Sequence, residues 1–359
     1  RRPPRSTLFP YTTLFRSKQT LILAVESSCD ETAVAVVADG KEILSNVVAT
    51  QIDVHKEFGG VIPEVASRIH VENISMVIEE ALHKANVVME DIDAVAVTQG
   101  PGLVGCLHIG VQAAKTLAWA FHKPLVPVHH IAGHIYANRL ITDLKFPLLA
   151  LVVSGGHTEL VYMKDEWSFE ILGTTQDDAI GEAGDKIGRV LGLPYPGGVY
   201  VDRIAKEGKP MYKLARPKTE NPMDFSFSGL KSSVLQFIDR CKRKNETFAA
   251  ADLAASYQET AFGALLERAE YALQKYHPAQ MVLAGGVAAN SCLREKVEKG
   301  LADKYKDIEF IIPPLSCCTD NAAMIAVAGY IAYTHGVRGD FDLTADPGIE
   351  LEEAAQSHA

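Results

Sequence analysis

Two stretches of the chain spell the same short piece of architecture. LILAVESSCDETAVAVV, residues 21–37, and LLALVVSGGHTELVYM, residues 148–163, each run as an apolar strand, a tight turn of small polar residues and a second apolar strand. Setting Ser28 on Ser154 also sets Thr32 on Thr158. Such an echo points to a duplicated plan in which each half opens with the same hairpin. Around the hairpins, strand-like runs alternate with amphipathic segments, the pattern of an α/β protein. One such segment, 68–86, carries Ile74, Val77, Ile78, Ala81 and Leu82 at helical spacing, a stripe that reads as core rather than site.

A third turn of small residues follows MVLAGGVAAN, 281–290, where Gly285 and Gly286 precede a helix expected to begin near Ser291. One glycine pair is explained by a plain tight turn. Three such turns, two of them in echoing hairpins, offer main-chain N–H groups to phosphate oxygens. No GxxxxGK[ST] loop is present. Duplicated halves with facing hairpin turns resemble instead the two-lobed actin-like, sugar-kinase and heat-shock-chaperone ATPase (ASKHA) architecture with its interdomain cleft, a likeness of fold that leaves the reaction open.

The chain has 359 residues, room for two domains at roughly 100–200 residues each. The expected division is a leader at 1–17, an N-terminal lobe at 18–145 onto which a C-terminal helix around 320–336 packs back, a C-terminal lobe at 146–319 and a tail at 337–359. The leader, RRPPRSTLFPYTTLFRS, contains the near-copies TLFP and TLFR and lacks the long apolar core of a signal peptide. It reads as non-native or cloning-derived and disordered. No apolar run approaches the ~18 residues of a membrane span, so a soluble, cytoplasmic protein is expected. The formal charge of −10 argues against unaided binding of nucleic acid by a broad basic surface. The densest internal basic cluster, RCKRK at 240–244, suits either RNA phosphates or a solvated helix end. The six cysteines are scattered without a CxxC and read as reduced thiols.

VPVHHIAGHIYAN, 126–138, places His130 and His134 four apart, on one face of a helix, where they could share a divalent ion. A zincin protease needs a Glu directly after the first histidine, and here Ile131 stands in that place. Two histidines lining an interdomain surface as plain polar residues are the simpler alternative. A third ligand candidate is Asp320 of PPLSCCTDNAAMIAVAGY, 313–330, which equally suits a helix N-cap. Two imidazoles and one carboxylate leave positions open for substrate and are compatible with iron, zinc or magnesium.

VESSCDETAVAVV, GGVIPEVASRIHVEN, TQGPGLVGCLHIG, PVHHIAGH, LVVSGGHTEL, DDAIGEAGDKIGRVLGLPYPGG, FSFSGLK, LAGGVAAN and CTDNAAMIA, in this order over about residues 20–335, resemble the TsaD family of tRNA threonylcarbamoyladenosine biosynthesis, in its bacterial form. The resemblance implies an ASKHA fold and an acyltransferase that moves threonylcarbamoyl from threonylcarbamoyl-AMP to the adenosine 3′ of the anticodon in tRNAs reading ANN codons. It implies one divalent metal per subunit, with Fe2+ favoured and Zn2+ or Mg2+ compatible, held by His130, His134 and Asp320. Contacts to the adenylate donor would come from Val152, Val153, Ser154, Gly155, Gly156, Asp185, Gly198, Asp202 and Asn290. Partners would be tRNA, bound weakly by this chain alone, the paralogous TsaB subunit and the TsaE ATPase.

Asp30 and Glu31, in the first hairpin turn, face the same cleft if the duplication holds, and one of them is the expected base for the adenine amine. Glu182 and Lys186 read as a helix-surface pair. Gly184 departs from the family pattern, which has an aromatic residue before Asp185. The competing reading from another class is a nucleotide-gated binding protein with an actin-like ATPase cleft, and a metalloprotease ranks below both.

Overall fold

The structure is a computed structural model that describes residues 19–216 and 218–356. The expectation of a leader at 1–17 lies outside the described residues. Ten strands form two five-stranded sheets. The first contains β1 (Leu21–Glu26), β2 (Glu31–Ala38), β3 (Glu42–Thr50), β4 (Ala94–Gly100) and β5 (Leu125–His129), in the order β3-β2-β1-β4-β5. The second contains β6 (Leu148–Val153), β7 (Thr158–Met163), β8 (Glu170–Thr174), β9 (Gln280–Ala284) and β10 (Glu309–Ile311), in the order β10-β9-β6-β7-β8.

The two sheets share one topology. β1 pairs antiparallel with β2 and parallel with β4, just as β6 pairs antiparallel with β7 and parallel with β9. The ungapped superposition of the two hairpins needs one correction. The last pair of the first hairpin is Glu26 with Ala33, leaving 27–32 in its turn, whereas Val153 with Thr158 leaves only 154–157 in the second. The longer first turn is what carries Asp30, and Glu31 opens the strand after it.

Both threonines singled out by the echo tie their hairpin to the next long helix. Thr32 donates from Oγ1 to Nδ1 of His70 (2.7 Å) on the helix Pro63–Ala85, and the other ring nitrogen of His70 donates to the Cys29 carbonyl (2.9 Å). Thr158 accepts at Oγ1 from the amide of Ile180 (2.9 Å), the first residue of the helix Ile180–Val190. Such a bond serves one of the orphan donors of a helix N-terminus.

β1, β4 and β6 are almost wholly apolar and buried, as parallel-paired strands covered on both faces must be. The outer face of the first sheet is covered by the helix Pro63–Ala85 through Ile74, Val77 and Ala81 and by the helix Val104–Ala120 through Val111, Ala114 and Ala118. Its inner face meets the helix Ala322–Thr334, whose sequence is apolar on every side and whose residues Ala322–Gly329 are all buried. A helix with no polar face must be enclosed. Gly329 allows the approach, since a Cβ there would lie 2.5 Å from the Cβ of Ala96 in β4.

Candidate active site and metal centre

β5 ends at His129, and the chain turns directly into the short helix His130–Tyr136, all of it buried. His129 is the N-cap: its Nδ1 accepts from the Ile131 amide (3.1 Å), while Nε2 donates to the carbonyl of Ile349 (3.1 Å). Burial pushes its pKa down to about 3, which keeps the ring neutral for this pair of bonds. His129 is therefore a structural residue. One turn on, Gly133 faces Ile325, and a Cβ would come within 2.7 Å of the Ile325 Cδ1. This contact seats the histidine helix on Ala322–Thr334 and brings Asp320, just before that helix, to the two histidines.

Oδ1 of Asp320 lies 3.1 Å from Nε2 of His134 and 3.6 Å from Nε2 of His130. The two imidazoles stand edge to face, 4.7 Å between centroids. The helix N-cap is not Asp320 but Asn321, whose Oδ1 accepts from the Met324 amide (3.1 Å), so the aspartate is free to face the histidines. His130 turns Nδ1 to Oε2 of Glu26 (3.0 Å), the final residue of β1, and Thr98 donates to the same oxygen (2.6 Å). The Ser28 amide donates to the other oxygen of Glu26. Neither ring nitrogen of the buried His134 has a hydrogen-bond partner of good geometry among the described residues.

That orphaned imidazole tests whether the donor set fits a metal. Two nitrogens and a carboxylate oxygen lie within 4.8 Å of one another, and both nitrogens of the buried His134 lack a well-aligned hydrogen bond among the described residues. The arrangement fits a divalent cation, with a carboxylate behind one imidazole as is usual for metal-bound histidines. Without an ion, burial opposes a charge on His130, but Glu26 and Asp320 outweigh it and raise its pKa to about 9. Burial likewise opposes the Asp320 carboxylate, and attraction to His130 and His134 holds its pKa well below the usual range.

His130 and Asp320 line one wall of a cavity of about 770 Å³, with the buried His134 beside them. Both hairpin turns open into it, Ser28 to Glu31 from one sheet and Ser154 to His157 from the other, together with Asp185, Tyr195 and Gly286. Gly155 and Gly156 have nothing within 4 Å of a would-be Cβ, so their main chain is open to a ligand. Glu31 is pushed up to about 10 by burial, then by repulsion from Asp30 and Asp320, and so keeps its proton at neutral pH. Burial and the neighbouring Asp30 also push the Cys29 thiol up, which removes a thiolate nucleophile from this turn. Burial, with repulsion from the neighbouring imidazoles, holds His157 down at about 4.

The remaining expected ligand residues fall into two groups. Asp185 lines the cavity, accepting at Oδ1 from the Gly198 amide (2.8 Å), and burial raises its pKa. Val152 and Val153 are buried in β6 just ahead of the Ser154 turn. Asp202 and Asn290 stand behind the lining and are engaged by the protein itself. Asp202 accepts from the Ser291 hydroxyl (2.8 Å) and from Gln258 (3.1 Å). Asn290 caps the helix Ser291–Lys296 by accepting at Oδ1 from the amides of Cys292 (3.0 Å) and Leu293 (3.1 Å).

Lys186 and Glu182 pair as their spacing predicts (2.9 Å), but both also line the cavity, and Asp178 holds the same ammonium (2.6 Å). Gly184 belongs to a close crossing of the helices Ile180–Val190 and Gly197–Ala205. A Cβ there would lie 3.3 Å from the Cα of Gly198, and one on Gly188 only 2.5 Å from the Cα of Gly197. The hydroxyl of the buried Tyr257 lies 4.0 Å from the Gly184 Cβ position. Sequence reading passed over Glu26, although an acid ending the apolar strand LILAVE was a visible signal.

Comparison with known proteins identifies the family. The family model described as TsaD, tRNA N6-adenosine threonylcarbamoyltransferase, matches residues 42–327. A protein of that name from Bacillus cereus is 59% identical over 336 residues, covering 93% of this chain and 98% of its own length. The Bacillus subtilis relative is 56% identical over 335 residues, covering 93% and 96%. Among solved structures, full-length HypF in a phosphate- and nucleotide-bound form aligns with a TM-score of 0.59 at 14% identity, over 89% of this chain and 47% of that one. Component A of the Acidaminococcus fermentans (R)-2-hydroxyglutaryl-CoA dehydratase aligns with a TM-score of 0.51 at 16% identity, over 88% and 98%. These two distant structures support the two-lobed ASKHA fold and nothing finer. At the level of sequence the match is far closer, and the chain belongs to the TsaD family of tRNA N6-adenosine threonylcarbamoyltransferases.

Proposed function

We propose that the cavity transfers threonylcarbamoyl from threonylcarbamoyl-AMP to the exocyclic amine of the adenosine 3′ of the anticodon, in tRNAs reading ANN codons, with release of AMP. The observation that carries this reading is the cluster of His130, His134 and Asp320, two of which, His130 and Asp320, line a cavity that also receives the open Gly155–Gly156 main chain. An adenylate donor brings a phosphate, and unobstructed amides are what a phosphate needs. Residues 18–145 with the helix around 320–336 form one lobe of this cleft, and 146–319 the other.

The three donors would hold a divalent ion, which would supply charge neutralisation and Lewis acidity to the transfer. Glu26 orients His130 for that task. In the transfer, N6 of adenine bonds to the carbamoyl carbon, the bond from that carbon to the phosphate oxygen breaks, and AMP leaves with the electron pair. The amine proton goes to the Asp30–Glu31 carboxyl pair of the first hairpin turn, which lines the same cavity. An adenine amine is a weak nucleophile, so positioning supplies much of the rate. On the donor side of the cleft Asp185 contacts the donor from the wall, and Gly198, Asp202 and Asn290 support that wall from behind.

The enzyme works in the cytoplasm with a TsaB-type paralogue and a TsaE-type ATPase, and the acidic chain binds tRNA weakly alone. Among the described residues no helix is long and apolar enough to cross a membrane. The test is to incubate the metal-loaded chain and both partners with threonylcarbamoyl-AMP and unmodified tRNA, then digest the tRNA and weigh its nucleosides. Absence of threonylcarbamoyladenosine overturns the proposal and favours the nucleotide-gated binding protein.

A further inference from the structure

A second cavity, of about 520 Å³, lies away from the cleft along the helix Ser228–Lys244. It is lined by Lys213, Ser233, Gln236, Phe237, Arg240, Arg243 and Lys244, four cations and no acid, on a chain whose formal charge is −10. Among the described residues no carboxylate lies within ion-pair distance of Lys213, Arg240 or Arg243, and Lys244 has only a long contact of 3.9 Å to Glu246. Arg240 lays its guanidinium over the Phe237 ring, 5.1 Å from the centroid, which fixes the charge at the cavity wall. Elsewhere on the chain lysines do pair with acids, as Lys296 does with Glu259 and Lys304 with Glu270. Four cations around one concavity, three of them with no acid in ion-pair distance among the described residues, are what an anionic polymer would meet.

The same helix connects this groove to the active site. The amide of Ser228, its first residue, donates to Asp177 (3.1 Å), and the adjoining Asp178 holds Lys186 of the cleft. At about 1.5 Å per residue, Arg240 to Lys244 lie roughly 18–24 Å along the helix from that end. A tRNA with one adenosine in the cleft must lay its neighbouring backbone over the surface at such distances, and backbone phosphates are bound by Arg and Lys without regard to base.

We infer that the groove of Lys213, Arg240, Arg243 and Lys244 seats the phosphate backbone of the tRNA substrate beside the modified loop. This rests on the tRNA-directed reading of the cleft. It also gives the acidic chain a local anchor, so that orientation of the RNA does not depend on the partners alone.

The test uses the full chain with its paralogue and ATPase partners, and compares Arg240→Gln/Arg243→Gln/Lys244→Gln with Arg240→Lys/Arg243→Lys, which keeps the charges. Binding of unmodified tRNA is titrated against salt, separately from any transfer assay. The neutralised variant is expected to reduce the slope of log K against log salt by about 2–3, one unit for each lost phosphate contact. Its tRNA KM should rise at least about tenfold, or about 1.4 kcal/mol, with kcat and the donor KM unchanged, and the charge-keeping variant should retain the slope. An unchanged slope and tRNA KM overturn the inference, as does a loss of binding to phosphatidylserine vesicles without loss of tRNA binding. Failure of the wild-type assembly to modify tRNA counts against the cleft reading, while the binding slopes still decide this one.

Discussion

Nδ1 of His130 lies 3.0 Å from Oε2 of Glu26, a carboxylate buried at the end of the central strand of its sheet. That contact leaves Nε2 of His130 as the nitrogen turned toward Asp320. Glu26→Gln keeps an acceptor but removes the charge that makes the imidazole a better ligand. Metal affinity should fall about 10–100-fold, read by competition with a chelator. An affinity within about twofold of the parent would remove Glu26 from the metal site.

The charge on His130 predicts a pH dependence with a definite sign. Its folded pKa in the metal-free protein is raised from 6.5 to about 9. The stabilisation this gives is complete below pH 6.5 and is lost as pH rises through about 9, on the order of 3 kcal/mol. Metal competes with the same proton, so apparent metal affinity should climb by up to about tenfold per pH unit over that window and level off above it. Denaturant midpoints of the metal-free chain and metal titrations from pH 6 to 10 read both effects. A flat affinity profile would contradict the assigned ligand.

Gly155→Ala and Gly188→Ala separate the needs of ligand and fold. The first adds a methyl where nothing lies within 4 Å, the second one that meets the Gly197 Cα at 2.5 Å. Gly155→Ala should leave stability within about 0.5 kcal/mol while raising the KM for threonylcarbamoyl-AMP. Gly188→Ala should lower stability by about 1–3 kcal/mol through the forced separation of two helices. Urea melts and donor saturation curves on both variants give the comparison.

Asn290 caps a helix with its side-chain oxygen, leaving its amide NH2 as the part able to reach a donor. Asn290→Ala should cost about 1 kcal/mol of stability. Asn290→Asp keeps a capping oxygen and loses the NH2, so stability should be held while the donor KM rises. A normal KM in Asn290→Asp would confine the residue to capping.

Much of the plan was legible along the chain because it is local. The alternation of apolar runs with small-residue turns exposed two equivalent hairpins, and the spacing of His130 and His134 placed both imidazoles on one helix face. Other features were invisible for a physical reason. The two-residue difference between the hairpin turns depends on strand pairing, which an ungapped comparison cannot sense. The capping role of Asn321, and with it the freedom of Asp320, depends on which side chain reaches the Met324 amide.

What the sequence by itself determined is the set of periodic patterns and chemically able residues: a duplicated α/β chain with two histidines, a distant aspartate and three glycine-bearing turns. What only the tertiary structure decided is which of them meet. Gly133 lets the histidine helix press on Ile325, Gly329 lets Ala322–Thr334 press on β4, and these two close approaches carry Asp320 to within 3.1 Å of His134. Glu26 joins them because parallel pairing sets the end of β1 beside β4, where Thr98 shares its carboxylate. Packing between segments far apart in the chain creates these distances, and no local pattern records them.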